Sequence, residues 1–217
     1  MELVKEAENF IMGQDSVEYN YLSSEPKWAN RYLWQPIQKV VFEYPDLTKK
    51  VFEIGCGSGA TAKFLSSLGF EVIGIDPSTS GIKIANAAYP ELKLFQGSAY
   101  DDLAKQYGKF PFVVSLEVIE HTFYPRKFVE TLYELLEEQG VGIISTPYHG
   151  YWKNLALAVT GKLDAHFTVL WDGGHIKFFS EKTLRSLLED AGFRKISFIR
   201  VGRIPPLAKS LIAIVEK

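Results

Sequence analysis

The 217-residue chain is short of three things, and each shortage removes a class of function. It has one cysteine, Cys56, so no disulfide can form within it and a reducing compartment suits it. It has no excess of basic charge, with 24 Lys and Arg against 26 Asp and Glu. A dedicated nucleic-acid binder usually presents a basic face, so this balance argues against a nucleic-acid partner. It also lacks any apolar run near the ~18 residues that would span a bilayer. Glu2, Lys5, Glu6 and Glu8 leave no apolar stretch of the kind a signal peptide needs, so a cytoplasmic location is expected. No internal repeat, low-complexity tract or second domain is visible.

What is present is the makeup of one globular domain, 47% hydrophobic and long enough for a full core. The stretch Val51-Phe-Glu-Ile-Gly-Cys-Gly-Ser-Gly59 organises it. A short buried strand runs into Gly55, Gly57 and Gly59, and a helix opens at Ala60 and Thr61. Glycine allows positive φ and close approach of a ligand to the backbone. The helix start behind the loop offers free N–H groups. Asp76, at the end of the next apolar strand, lies roughly 20 residues beyond the loop, where nucleotide-binding sheets grip ribose hydroxyls. The glycines stand at alternate positions, not in the G-x-G-x-x-G spacing of the dinucleotide fingerprint, and this argues against an NAD-dependent oxidoreductase.

With Glu53 two residues before the first glycine, the pattern E-x-G-x-G-x-G resembles motif I of the class I S-adenosylmethionine (SAM) methyltransferases. The resemblance spans roughly residues 50–200. It extends to His175-Ile-x-Phe-Phe-Ser180 before a helix ending in Ala191-Gly-Phe, similar to small-molecule methyltransferases of quinone and glycan biosynthesis. It implies SAM as cofactor, with S-adenosylhomocysteine as product. It places Glu53, Gly55, Cys56, Gly57, Gly59, Asp76 and Pro77 around that cofactor. Gly97, Ser98 and Ala99 then face the adenine, with Ser98 standing where relatives often carry an acid, and Leu116 and Glu117 close the site. Cys56 reads as a small packing residue in the loop.

Strands are expected at 51–54, 70–75, 92–95, 111–116 and 141–145, and helices at 60–68, 78–88 and 126–138. Continuous apolar strands alternating with helices predict an α/β fold, a doubly wound, mostly parallel, seven-stranded Rossmann-like sheet. A helix at 181–191, capped by Ser180 and Thr183, and strands at 193–201 and 207–216 close it with an antiparallel pair. One domain, 1–217, is therefore expected. Residues 1–47 form an N-terminal helical lid, 48–146 the SAM-binding core, 147–179 an acceptor-pocket insert, and 180–217 the closing helix and strands. The insert is broken by Pro147, Gly150, Gly161, Gly173 and Gly174 around an apolar helix, 151–160, expected to cover a substrate pocket. A contact with a membrane surface or a second subunit is the alternative for that helix, and the oligomeric state stays open.

Methyl transfer asks for a shaped pocket and one base more than for a long signature. The base candidates are His121, His149 and His175, because imidazole titrates near working pH. His166 has no supporting context. Glu117-Val-Ile-Glu-His121 allows something sharper. A helical turn would set Glu117 and His121 on one face beside Glu120. Two carboxylates and imidazoles suit a divalent metal such as Mg²⁺ or Mn²⁺. The string resembles the metal motif of quinone O-methyltransferases and of small-RNA 2′-O-methyltransferases, with His175 as the downstream histidine. The expected function is methyl transfer from SAM to a small-molecule acceptor, at an oxygen of a phenol, quinol, glycan or lipid-linked intermediate. A non-catalytic SAM-binding module and an RNA 2′-O-methyltransferase are the alternatives.

Overall fold

The computed structural model describes residues 21, 23, 24, 28–167, 169–171 and 173–217. Most of the expected N-terminal lid, including Tyr19, lies outside the described residues. Helix α1 (Trp28–Phe42) leads into β1 (Lys50–Ile54), α2 (Ala60–Ser67), β2 (Glu71–Asp76), α3 (Thr79–Ala88) and β3 (Lys93–Gln96). After these come α4 (Leu103–Tyr107), β4 (Phe110–Leu116), α5 (Pro125–Leu135) and β5 (Leu136–Pro147). The insert contributes α6 (Tyr151–Val159) and α7 (Leu163–Phe167), and α8 (Glu181–Asp190), β6 (Lys195–Val201) and β7 (Ser210–Glu216) close the chain.

The seven strands form one sheet in the order β3-β2-β1-β4-β5-β7-β6. The pairs from β3 to β5 are parallel, and β7 runs antiparallel to both β5 and β6. Side chains alternate across the strands. Val51, Phe112 and Val114 pack with Leu33, Ile37, Leu65 and Ile82 from α1, α2 and α3. Phe52, Ile54 and Val113 pack on the other face with Phe128, Leu132 and Leu184 from α5 and α8. Burial on both faces is why these strands read as continuous apolar runs. The strand order reverses between the parallel neighbours β1 and β4, and the crevice at their carboxyl ends is the place such sheets bind ligands.

Three local expectations need correction. The helix expected at 126–138 stops at Leu135, and residues 136–138 join β5. Gln139 takes φ 65° there, and a Cβ on Gly140 would come within 2.9 Å of the Glu137 carbonyl. The strand therefore turns at this pair before it resumes beside β4. Helix α4 was not anticipated; Asp102 caps it by accepting from Lys105 N at 3.3 Å. The segment after β4 is a 3-10 turn, Ile119–His121, and not the α-helical turn that would set Glu117 and His121 on one face.

Candidate active site

The glycine loop takes the backbone shape its sequence anticipates. Gly55, Gly57 and Gly59 all have left-handed φ, at 81°, 53° and 83°. The loop is tied to the end of β2, where the Ile75 carbonyl accepts from Gly55 N and Cys56 N at 2.8 and 2.9 Å. Asp76 receives Gly57 N on Oδ2 and Ser78 N on Oδ1, both at 2.8 Å. It thus joins the loop to the start of α3, and Pro77 lies between. Glu53 is 2% exposed, and its Oε2 has no hydrogen-bond partner. Burial, and then the charge of Asp76, push its carboxyl up to about 8. An orphaned buried carboxylate oxygen under a glycine loop fits a ligand with a cationic group. Burial also raises the Cys56 thiol, which keeps it neutral and suits the packing role read from the sequence.

Gly97, Ser98 and Ala99 follow β3 on the same side. Gly97 N donates to the Asp76 carbonyl at 3.1 Å, and Ser98 N to Asp101 Oδ2 at 2.8 Å. An acid therefore does return to this loop, three residues later than in the familiar pattern. Tyr21 is one of the aromatics of the N-terminal segment expected as a lid. A Cβ on Gly57 would come 2.5 Å from its phenol oxygen, and one on Gly81 2.8 Å from its ring, so Tyr21 covers the loop. Its backbone N reaches Ser80 Oγ at 3.2 Å. Burial and the charge of Asp76 raise its pKa, keeping the phenol protonated.

Beyond β4 the backbone is strained at one residue, Glu117, with φ 55°. Its N–H is drawn to Ser145 O and Oγ at 3.1 and 3.0 Å, and Ser145 Oγ donates to Glu117 Oε1 at 2.8 Å. Burial pushes Glu117 up to about 7. Tyr32 Oη pairs with Ser210 Oγ at 2.5 Å, and burial together with the Glu117 charge pushes that phenol up to about 12. Leu116, 5% exposed, ends the strand beside this network.

Glu120, by contrast, is fully buried, with the Thr146 hydroxyl as the side chain that acts on it, no well-formed hydrogen bond to either oxygen, and a pKa that burial and the Glu117 charge push well above the usual carboxylate range. Two imidazole nitrogens, Nε2 of His121 and of His175, each lie 4.0 Å from its Oε1. The ligand atoms of the three residues all lie within 4.8 Å of one another. Nδ1 of His121 is 2.9 and 3.1 Å from the Gly173 and Gly174 carbonyls. Since carbonyls only accept, Nδ1 carries a proton. Ile176 N and Lys177 N donate to the Glu120 carbonyl at 2.9 and 3.0 Å, which clamps the His175 loop onto the turn. A buried carboxylate and two nitrogens of this kind fit a divalent cation. Glu117, the fourth residue expected there, is turned toward Ser145 and stands outside the group.

The insert supplies the remaining candidates. His149 is 7% exposed, and the Asn154 side chain acts on it as a hydrogen-bond partner without a well-formed bond to Nδ1. Its ring stacks on Phe167 at 5.9 Å and meets Phe178 edge-on at 5.0 Å. His166, which lacked context in the sequence, lies 5.3 Å from it. Burial lowers both His149 and His175 to about 4, so both are neutral at working pH and weak as bases. Lys153, 6% exposed on α6, is a residue that periodicity concealed. One cation in an otherwise apolar and aromatic helix was the signal for it.

The methyltransferase domain family model matches residues 27–197. The chain belongs to this family of SAM-dependent methyltransferases. A ubiquinone biosynthesis O-methyltransferase of Bartonella quintana is 29% identical over 177 residues, covering 78% of this chain and 68% of its own. One from Caulobacter vibrioides is 34% identical over 146 residues, 64% of this chain and 56% of its own. Across the curated relatives it matches, the chain spans from 47% to 68% of their length. Magnesium protoporphyrin IX methyltransferase of Synechocystis PCC 6803, solved with bound S-adenosylhomocysteine, superposes with a TM-score of 0.63 at 20% identity. That match covers 91% of this chain and 90% of the other. A SAM-dependent methyltransferase of Archaeoglobus fulgidus gives 0.60 at 16% identity, over 88% and 98%. These structures share the fold. Among the described residues no helix of this methyltransferase is long and apolar enough to cross a membrane.

Proposed function

We propose that this methyltransferase transfers the methyl group of SAM to an oxygen of a small-molecule acceptor, with a divalent metal held by Glu120, His121 and His175. The observation that carries the reading is the fully buried Glu120 carboxyl, without a well-formed hydrogen bond to either oxygen, faced by two imidazole Nε2 atoms at 4.0 Å. Leaving such a carboxylate unpaired costs several kcal/mol, on the order of the penalty for any buried charge, unless a proton or a cation offsets it. The O-methyltransferase names of the relatives agree with transfer to oxygen.

SAM supplies an electrophilic methyl on a sulfonium, and a divalent ion supplies Lewis-acid polarisation of a hydroxyl. The chain's own residues do the rest. Glu53 receives the cofactor's ammonium end, Asp76 its ribose hydroxyls, and the loop of Gly97, Ser98 and Ala99 its base. Tyr21 covers the glycine loop, whereas α1, the helical part of the expected N-terminal lid, packs Leu33, Ile37, Val40 and Val41 into the core. The 3-10 turn brings Glu120 and His121 to the end of β4, beside that seat, so that an acceptor hydroxyl can be aligned with the methyl. Adjacent hydroxyls on the acceptor, as in a catechol or a sugar diol, fit a chelated ion. Tyr151, Trp152, Val159, Val169 and Leu170 are exposed on the insert, and this apolar surface supports a peripheral contact with a membrane that presents a lipid-linked acceptor. The cytoplasm is the compartment proposed.

The test is to strip the protein with EDTA, assay turnover of SAM with a diol panel, and restore Mg²⁺ or Mn²⁺ at fixed pH. Activity should vanish and return with the metal, and Glu120→Gln should abolish that rescue. Full activity after stripping would leave His149 or His175 as a plain base and remove the metal from the reading.

A further inference from the structure

Helix α6 is built inside out. Tyr151, Trp152, Leu155 and Val159 fall on one face, at the spacing of an apolar stripe, and that face is the exposed one. Tyr151 is 73% exposed, Trp152 63% and Val159 79%. The single buried residue of the helix is a cation, Lys153, whose ammonium donates to the Lys209 carbonyl at 3.3 Å. A surface helix of a globular domain turns its apolar stripe to the core, so a stripe turned outward is made for something beyond the chain. The turn Pro205–Leu207 packs beside α6, and Ile204, Pro205 and Pro206 there are exposed as well.

The two stretches that build this surface carry no acid. From Gln139 to Leu163 and from Ala191 to Val215 there is no Asp or Glu, in a chain that has 26 of them. The stretches meet where Lys153 bonds to the Lys209 carbonyl and α6 touches the 205–207 turn. Of their cations, Lys195 is paired with Glu216 and Arg200 with Glu181, and Lys209 lies over the Tyr32 ring at 5.4 Å. Lys162, just past the end of α6, and Arg203, beside Ile204, are exposed and make no ion pair among the described residues. The first acid beyond Lys162 is Asp164, on α7. Trp and Tyr beside aliphatic side chains, with Lys and Arg at the margin, are the makeup of a helix that lies in a membrane interface. A second copy of the chain fits this face less well. Nine residues make a helix about 14 Å long, and one face of it falls far short of the ~800 Å² per partner that a stable dimer buries. A two-fold contact would also set the same cations against one another with no acid to receive them.

A cavity of about 600 Å³ lies behind the same helix, lined by Asn154 of α6 and by His149, Phe167, His175 and Phe178, with Val169, 80% exposed, at its rim. We propose that the outer face of α6 and the loop from 203 to 206 dock this methyltransferase on an anionic bilayer, so that the cavity behind α6 opens at the lipid surface. This rests on the acceptor reading above and gives the membrane contact named there a docking element, an orientation and a lipid charge. The apolar face sinks to the acyl boundary, and Lys162 and Arg203 stay at the level of the phosphates.

The experiment is flotation of S-adenosylhomocysteine-loaded protein with vesicles of phosphatidylcholine, alone or with about a third phosphatidylglycerol. The protein should float with the anionic vesicles, and less of it should do so as salt rises. Trp152→Ser should weaken that binding about 10-fold, by returning one large apolar side chain to water. Arg203→Gln should weaken it about 5-fold on anionic vesicles and change nothing on neutral ones. Both residues are exposed, so both variants should fold, and an unchanged affinity for S-adenosylhomocysteine checks that they do. No flotation with either vesicle overturns the proposal. So does equal flotation with neutral and anionic vesicles, or flotation that survives both substitutions. A dimer in light scattering that Trp152→Ser splits, with no flotation, would give the face to a second copy and overturn it too. Each of these outcomes leaves the methyl-transfer reading in place. Failure to bind S-adenosylhomocysteine at all would count against that reading instead.

Discussion

The cofactor side of the crevice and the insert that faces it are built by different physics. On the cofactor side, β1, β2 and β4 are buried on both faces, and nearly every loop N–H has a stated acceptor. Asp76 holds Gly57 and Ser78 through one bond to each carboxylate oxygen, and little there can move without breaking a backbone bond. On the insert side, α6 and α7 contribute no strand pairing, and Val159, Val169 and Leu170 are exposed. The rigid side fixes where a shared cofactor sits. The looser side is where a particular acceptor can be chosen without disturbing that seat. The largest effect should therefore come from injuring the rigid side. Gly57→Val would put a β-branched residue at φ 53°, a strain of ~1–2 kcal/mol, and drive its Cβ against Tyr21. SAM binding should be lost at concentrations that saturate the native protein, as read by calorimetry. A conservative change on the insert, such as Phe167→Leu, should leave SAM affinity untouched. Equal loss from both would erase the distinction.

That contrast also explains what could be read from the sequence. Local backbone chemistry was legible: alternate glycines at positive φ, an acid at a strand tip, and a Ser180 and Thr183 capping box all appear as expected. The buried strands of a doubly wound sheet were legible for the same reason, because burial on two faces writes itself as continuous apolar runs. What escaped depends on distance in space. Glu117 and His121 do not share a helix face, because Ser145 on β5 draws Glu117 aside and leaves room for only a short 3-10 turn. His175, expected beside Glu120 from the resemblance alone, is held there by the loop from 173 to 177, which the Glu120 carbonyl and His121 clamp. Lys153 acts through tertiary contacts alone.

A middle-sized effect should appear in the pH dependence of the free protein. The folded-state pKa of Glu53 is raised to about 8 from an ordinary 4.5, chiefly by burial. The folded state therefore binds more protons than the unfolded state between those values, and stability falls as pH rises. The contribution is fully present below about 4.5 and is lost as pH climbs through about 8. Melting temperature without cofactor should decline across that window, and Glu53→Gln should flatten the decline. Saturating SAM should raise the melting temperature more at pH 8 than at pH 6, because an ionised Glu53 then gains a cationic partner. An insert substitution should leave the slope as it is. A slope unchanged by Glu53→Gln would show that the buried acid is not where the two sides differ.

The smallest effect should come from Tyr21, which belongs by sequence to the N-terminal segment and by contact to the rigid side. Its ring covers Gly57 and Gly81, while its hydroxyl is one polar group above a seat already lined by Asp76 and Glu53. Tyr21→Phe keeps the ring and removes only that hydroxyl. If the phenol donates to the cofactor, the substitution costs one neutral hydrogen bond, about 0.5–1.5 kcal/mol, or roughly 2- to 10-fold in SAM affinity. Tyr21→Ala removes the cover as well and should also speed release of S-adenosylhomocysteine in stopped-flow displacement. The two variants separate the roles. A loss shared equally by Phe and Ala would place the whole contribution in the hydroxyl. A loss confined to Ala would make Tyr21 a cover that shields the glycine loop from water. If neither variant changes affinity or release, the cofactor side ends at the glycine loop and the residues before α1 have no part in it.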